Sequence, residues 1–313
     1  MALDVSGLPA YVDQNSDSFL SLAVVGSKTG QYCGWQTGIK GSEALQIFET
    51  DAVFQADTGC GWNSSGTTTL TQKTISVAKT KVQENICISD LEGKWSQNLL
   101  RPGSPDENGV VPAFEEVFFR EKAKKIAKQN ELGLWQGDTG SGTAYLARFN
   151  GWLKLLDTAA DFINGNPSGI TVATGITTGN IEGIVDTMYQ KIPEQLLDKE
   201  DLFVGMSWAH FRTWVAAIKN SNYFNYAVDT KNGEAIIPGT NVKVIALPGL
   251  SGSNRIVAGS WSNFIAGTDM MDEADKMEFY YAKEAETWRF SCKWKLGAQI
   301  AFTSEVVMFV LVP

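Results

Sequence analysis

Histidine is nearly missing from this chain: among 313 residues only His210 carries an imidazole. A common zinc centre takes two or three histidines, and Ser–His or Cys–His catalysis would have to run through His210 alone. That residue lies beside Trp208, Phe211 and Trp214, and so reads as a structural histidine on an aromatic-packed helix. Cysteine is sparse and scattered: Cys33, Cys60, Cys87 and Cys292 form no CxxC pair, which predicts free thiols rather than a disulfide framework or a metal site. No lysine or arginine precedes Lys28, so the charged start of a secretory signal is lacking. The longest apolar run, Val306 to Pro313, has eight residues, against the roughly 20 of a membrane helix. These absences predict a soluble protein made inside the cell, with no membrane partner.

Positive charge is also short. Lys plus Arg is 26 against 35 Asp plus Glu, a formal charge of −9. A dedicated nucleic-acid binder needs cations to replace phosphate counterions, so this balance argues against one. Gln136-Gly137-Asp138-Thr139-Gly140-Ser141-Gly142 has a phosphate-loop look, but it follows a helix and holds no lysine, so it reads as a helix stop and turn. Asp269, Asp272, Glu273, Asp275 and Glu278 lack EF-hand spacing, which predicts a solvated acidic surface. No constellation supports acid–base catalysis by Asp269 and Asp272. The chain therefore carries no candidate catalytic, cofactor-binding or metal-ligating set.

What is present is a 43% hydrophobic chain able to bury a core, long enough for about two lobes. Residues 1–30 have few apolar clusters and predict an extended arm that borrows order from elsewhere. Leu45, Ile47 and Val53, then the β-favouring Thr67 to Thr71, flank a turn-rich stretch at 57–66. This predicts a long hairpin, marginal alone, whose edges invite pairing with another chain. Ile75 to Ile88 reads as a longer strand. Ser89 with Glu92 has capping-box spacing for a short helix to about Leu100, stopped at Pro102.

Phe114 to Trp135 is the clearest helix, about 33 Å long, with Glu115, Glu116 and Glu121 early and Lys122, Lys124, Lys125 and Lys128 later, as the helix dipole favours. Residues 178–200 and 207–220 read as helices, 241–247 and 255–259 as strands. Thr287 to Val310 reads as long closing strands that return to the sheet of Ile75–Ile88, the last buried on both faces.

This order resembles the major capsid protein of tailed bacteriophages, the HK97 fold shared with encapsulins. The resemblance rests on Glu131-Leu132-Gly133-Leu134-Trp135-Gln136-Gly137-Asp138-Thr139-Gly140 followed by Phe149-Asn150-Gly151-Trp152-Leu153, on the basic–apolar strand Lys79-Thr80-Lys81-Val82, and on Gly259-Ser260-Trp261 leading through an acidic stretch to Arg289-Phe290 and the terminal strands. It implies an α+β, HK97-like fold. The N-terminal arm would be 1–35 and the E-loop hairpin 36–74. The P-domain would take 75–156 and 287–313, with its spine helix at 113–136, and the A-domain 157–286.

It further implies a non-enzymatic shell protein found in the virion and made in the host cytoplasm. Its hexamers and pentamers would form an icosahedral head around double-stranded DNA, without sequence-specific binding. Scaffolding, portal and decoration proteins are the further partners implied, and an encapsulin-like compartment is the alternative. Some relatives crosslink an E-loop lysine to a neighbour's asparagine; the tip at 57–66 has no lysine, with Lys40 and Lys73 only near its base, so no such bond is expected.

An extended subunit makes physical sense here, because a coreless arm and hairpin lose conformational entropy on ordering that only intersubunit burial offsets. Trp35, Phe54, Trp62 and Asn63 are the candidate intersubunit contacts, and Lys122, Lys124, Lys125 and Lys128 the candidate basic face of the spine helix. Deleting residues 45–74 is expected to leave a folded subunit that does not assemble.

Overall fold

In the computed structural model, the residues described are 26–56, 62, 65–86, 114–167, 169–221, 233–269, 277–285 and 287–312. They form two sheets, a separate hairpin and four α-helices. The expected helix at 89–100 lies outside them, as do residues 1–25, Cys60 and Cys87.

Helix α1 (Phe114–Gln136) matches the expected long helix. It lies against a five-stranded sheet built around β12 (Thr287–Ile300). On one side, β12 pairs antiparallel with β10 (Phe264–Thr268) and β11 (Met277–Ala282); on the other it pairs with β4 (Ala78–Ile86), register Lys81↔Lys293. Strand β1 (Gly34–Gln36) adds parallel to β10. Alternation explains the packing. Val82 and Ile86 of β4 turn inward to join Phe290, Cys292, Trp294 and α1's Phe119, Ala123 and Ile126 in one core.

The second sheet runs β5 (Ile163–Asn164), β13 (Val307–Phe309), β9 (Ile256–Ser260), β6 (Leu202–Met206), β8 (Lys243–Ala246), β7 (Glu234–Ile236). Every residue of β6 and β9 is buried. Helices α3 (Ile181–Gln190) and α4 (Trp208–Asn220) cover it through Ile184, Met188, Phe211 and Trp214. Ser207 caps α4 by accepting from the His210 N–H at 3.2 Å, and burial pushes the His210 imidazole below its ordinary pKa.

Several expectations need correction. The closing strands do not share a sheet: after β12 the chain turns at Thr303–Glu305, and β13 crosses into the second sheet, pairing with β9 and β5. Its alternate side chains feed both cores, Met308 one and Val307 and Phe309 the other, so its continuous apolar run fits two-sided burial without telling which sheet it joins. The strand read from Ile75 to Ile88 is two strands, because the chain breaks at Val77, whose N–H donates to Gly41 O (2.9 Å). The helix read over 178–200 ends at Gln190, since Pro193 cannot continue it. Asp269 is not solvated but buried, ion-paired with buried Lys295, while Glu278 is exposed.

Two glycines let α1 meet α2 (Trp152–Ala159) at close range. A Cβ on Gly137 would sit 2.5 Å from the carbonyl oxygens of Gly133 and Phe149, and one on Gly151 would sit 2.7 Å from that of Gly133. This close approach seats Trp135 against Trp152, ring centroids 5.0 Å apart, over Phe264. The Gly137–Gly142 turn is tied by Asp138, which accepts from Gly140 N–H (2.9 Å) and pairs with Lys154 (3.1 Å).

Candidate assembly surface

Two segments extend beyond or onto this body, and each is anchored by particular side chains. The first is the stretch that leads out of the expected arm. Ser27 and Thr29 are buried, so the body begins before residue 30 rather than after residue 35. The reason is Glu131, a carboxylate of α1 that is only 2% exposed. It accepts from the Thr29 N–H (2.9 Å) and hydroxyl (2.5 Å), and Trp135 Nε1 donates to the same hydroxyl at 2.8 Å. Burial pushes the Glu131 carboxyl above its ordinary pKa, opposed by the hydrogen bonds from Thr29, Gly249 and Ser27. Tyr32 stacks on Trp261 and donates to Glu234 at 2.5 Å; desolvation first, then the Glu234 carboxylate, pushes its phenol up to about 12. Cys33 is buried close by, its thiol pushed up to about 12 mainly by desolvation, and neither it nor Cys292 is in a disulfide.

The second is the hairpin of β2 (Ser42–Thr50) and β3 (Thr68–Ser76), paired from Ser42↔Ser76 to Thr50↔Thr68. Its base is fixed. Ile75 and Ile39 pack over Gly267, Gln299 Nε2 donates to Thr74 O (2.7 Å), and Lys73 Nζ donates to Ile300 O and Thr303 Oγ1 (3.4 Å each). Beyond the base, residues 68–72 of β3 are exposed. The expected long hairpin is therefore present, and Lys73 serves as its anchor.

Beyond its buried Ile47 and Ile75, the hairpin leaves several large apolar side chains uncovered by this chain. Phe54 is 100% exposed and Trp62 95%; Asn63 lies outside the described residues. Trp35 behaves differently. It is half-buried in β1 against the core, and its Nε1 donates to Gly30 O at 2.7 Å, so the body already uses it. Sequence reasoning passed over Phe48 and Leu70, which oppose each other directly across the ladder and are both mostly exposed. The apolar members of a Thr-rich hairpin were the available signal.

The four lysines of α1 do not form one face. Lys122 is half-buried, lies over the Phe118 ring at 5.4 Å and pairs with Glu84 of β4. Lys124 pairs with Glu121 in solvent (2.8 Å), and Lys125 and Lys128 are exposed. Among the described residues no group of His, Cys, Asp and Glu is placed to hold a metal, and no helix is long and apolar enough to cross a membrane.

No family model matches this chain, nor does any curated protein. Solved structures do. The satellite phage P4 procapsid superposes with a TM-score of 0.63 at 10% identity, covering 95% of this chain and 90% of that one. The capsid of Myoviridae phage XM1 gives 0.54 at 15% identity, with 90% of each chain covered. A virus-like particle from Pyrococcus furiosus gives 0.52 at 8% identity, covering 96% and 99%. At these identities the shared property is the fold, and this mixed α/β chain has the fold of the phage capsid proteins its sequence resembles.

Proposed function

We propose that this protein is a major capsid protein, a non-enzymatic subunit whose copies assemble into hexamers and pentamers of an icosahedral phage head around double-stranded DNA. The observation that carries it is the anchored hairpin with Phe48, Phe54, Trp62 and Leu70 uncovered by its own chain. A lone two-stranded ribbon bearing such side chains gains little in water, whereas lying on a neighbour buries them. In this reading residues 36–74 are the E-loop, α1 is the spine helix, and β4, β11 and β12 belong to the peripheral P-domain. The second sheet with α3 and α4 is the axial A-domain, and it takes in β13 as well. The N-terminal arm is shorter than residues 1–35 and precedes Ser27. Scaffolding, portal and decoration proteins are the further partners of this reading.

The test is electron microscopy of the expressed protein beside a variant in which residues 48–70 are replaced by Asn-Gly, which closes the Ile47↔Thr71 pair with a two-residue turn. Shells from the parent and a soluble, folded, non-assembling variant are expected. Parent-sized shells from the variant would contradict the proposal. The likeness to the Pyrococcus particle along nearly all of both chains favours one second reading, an encapsulin-like compartment. A cargo protein found inside purified shells, with no portal gene beside the coding sequence, would decide for that reading.

A further inference from the structure

The face of the five-stranded sheet turned away from α1 is basic, although the chain as a whole carries −9. On β4, Lys79 and Lys81 are exposed, and on β12 Lys293 is exposed and Arg289 half-buried. None of these four side chains makes an ion pair or hydrogen bond among the described residues. Register puts Lys81 directly opposite Lys293, an arrangement that repels across a ladder. Between and beside them stand exposed Gln83 and Asn85. Among the described residues, the carboxylates on this side are Asp269, already held by Lys295, and Glu278 at the far strand, opposite Ser291. The opposite face of the same strands, apolar apart from Thr80 and Glu84 on β4, packs against α1, so the lysines lie outside that core.

We propose that this sheet face contacts the phosphate backbone of nucleic acid, which rests on the shell reading for where that nucleic acid lies and deepens it by naming the surface. A protein partner fits less well. Protein interfaces are depleted in lysine at their centre, whereas phosphate is gripped by Lys and Arg with Asn and Gln beside them. Four cations on an acidic chain make a weak, salt-sensitive contact without base reading, which holds an enclosed duplex near a wall without fixing it.

The test measures binding of a short double-stranded DNA of arbitrary sequence to the purified full-length protein, by fluorescence anisotropy over a salt series. The combined variant Lys79→Gln, Lys81→Gln, Lys293→Gln is compared with Lys124→Gln, Lys125→Gln, Lys128→Gln on α1. The sheet variant should flatten the log–log salt slope by about 0.9 per lysine, about 2.7 in all, while the helix variant leaves it unchanged. Arginine at the same three sheet positions should restore the slope.

Three results would overturn the inference: no salt-dependent binding by the parent, equal losses in both variants, or parental DNA binding by a sheet variant that no longer forms shells, which would make the face a subunit contact. Microscopy of the same samples separates the two proposals. Loss of binding in the sheet variant of a protein that never forms shells sinks the shell reading and leaves this one standing.

Discussion

Thr29, Glu131 and Trp135 form a buried relay whose members satisfy each other, so removing one leaves the others short of a partner. Thr29→Val is expected to lower stability by about 2–3 kcal/mol, because it strands a Glu131 oxygen and the Trp135 N–H; denaturant unfolding measures this. Glu131→Gln keeps the size of the side chain but replaces one acceptor oxygen by an NH2 donor; its cost is independent of this titration, so it serves as the reference for a pH test. The folded pKa of Glu131 is raised above its ordinary 4.5, so the folded state binds the proton more tightly. That contribution is complete below 4.5 and is lost as pH rises through the folded value. The stability of the parent relative to the glutamine variant should thus fall with rising pH across that window; a difference flat in pH would refute the assignment.

The Lys295–Asp269 pair makes a second prediction at this scale. Asp269→Ala removes the buried carboxylate paired with the Lys295 ammonium and should cost about 3–5 kcal/mol, while replacing both residues with leucine-sized apolar ones should cost much less. Cys33 and Cys292, buried thiols outside any disulfide, should resist alkylation until the protein is unfolded, as intact mass would show.

Among elements, the crossing of α1 with α2 is the most exacting. At Gly137 and Gly151 an added Cβ meets backbone oxygens, which cannot swing aside as a side chain would. Gly137→Ala or Gly151→Ala should lower the melting temperature, at a cost of about 1–3 kcal/mol or more, whereas Gly142→Ala, with open space around it, should change little. The hairpin sits at the other extreme. Its base is pinned by Lys73, Thr74 and Ile75, so a deletion reaching to residue 74 would cut into the body as well as the projection. This is why the replacement proposed for the assembly test stops at Leu70.

For the whole molecule, the two sheets are tied by shared strands of burial rather than by a linker. Met308 lies in one core and Val307 in the other, and Phe203 from β6 stacks on Trp261 within the α1 core. In the proposed shell, such a body would carry a hairpin whose energetic return comes from neighbours. Phe54→Ser with Trp62→Ser should therefore leave monomer melting nearly unchanged, both side chains being almost fully exposed, yet reduce shell yield seen by microscopy. A large drop in melting temperature would instead mean that these side chains pack on their own chain.

Local chemistry determined much of this protein from sequence by itself. The long helix, the helix that begins near Ser207, the hairpin and the helix-stop turn at Gly137 were legible because propensity and turn residues act over a few positions. Phe54 and Trp62 are exposed on this chain, as expected where nothing near them in sequence supplies a core. Only the tertiary structure decided that Val307–Phe309 joins the second sheet, that Asp269 is buried on Lys295, that Trp35 belongs to the body, and that Thr29 closes over Glu131. Each of these depends on a partner far along the chain. An apolar or charged residue carries in its own identity no record of which distant strand or helix will come to lie beside it.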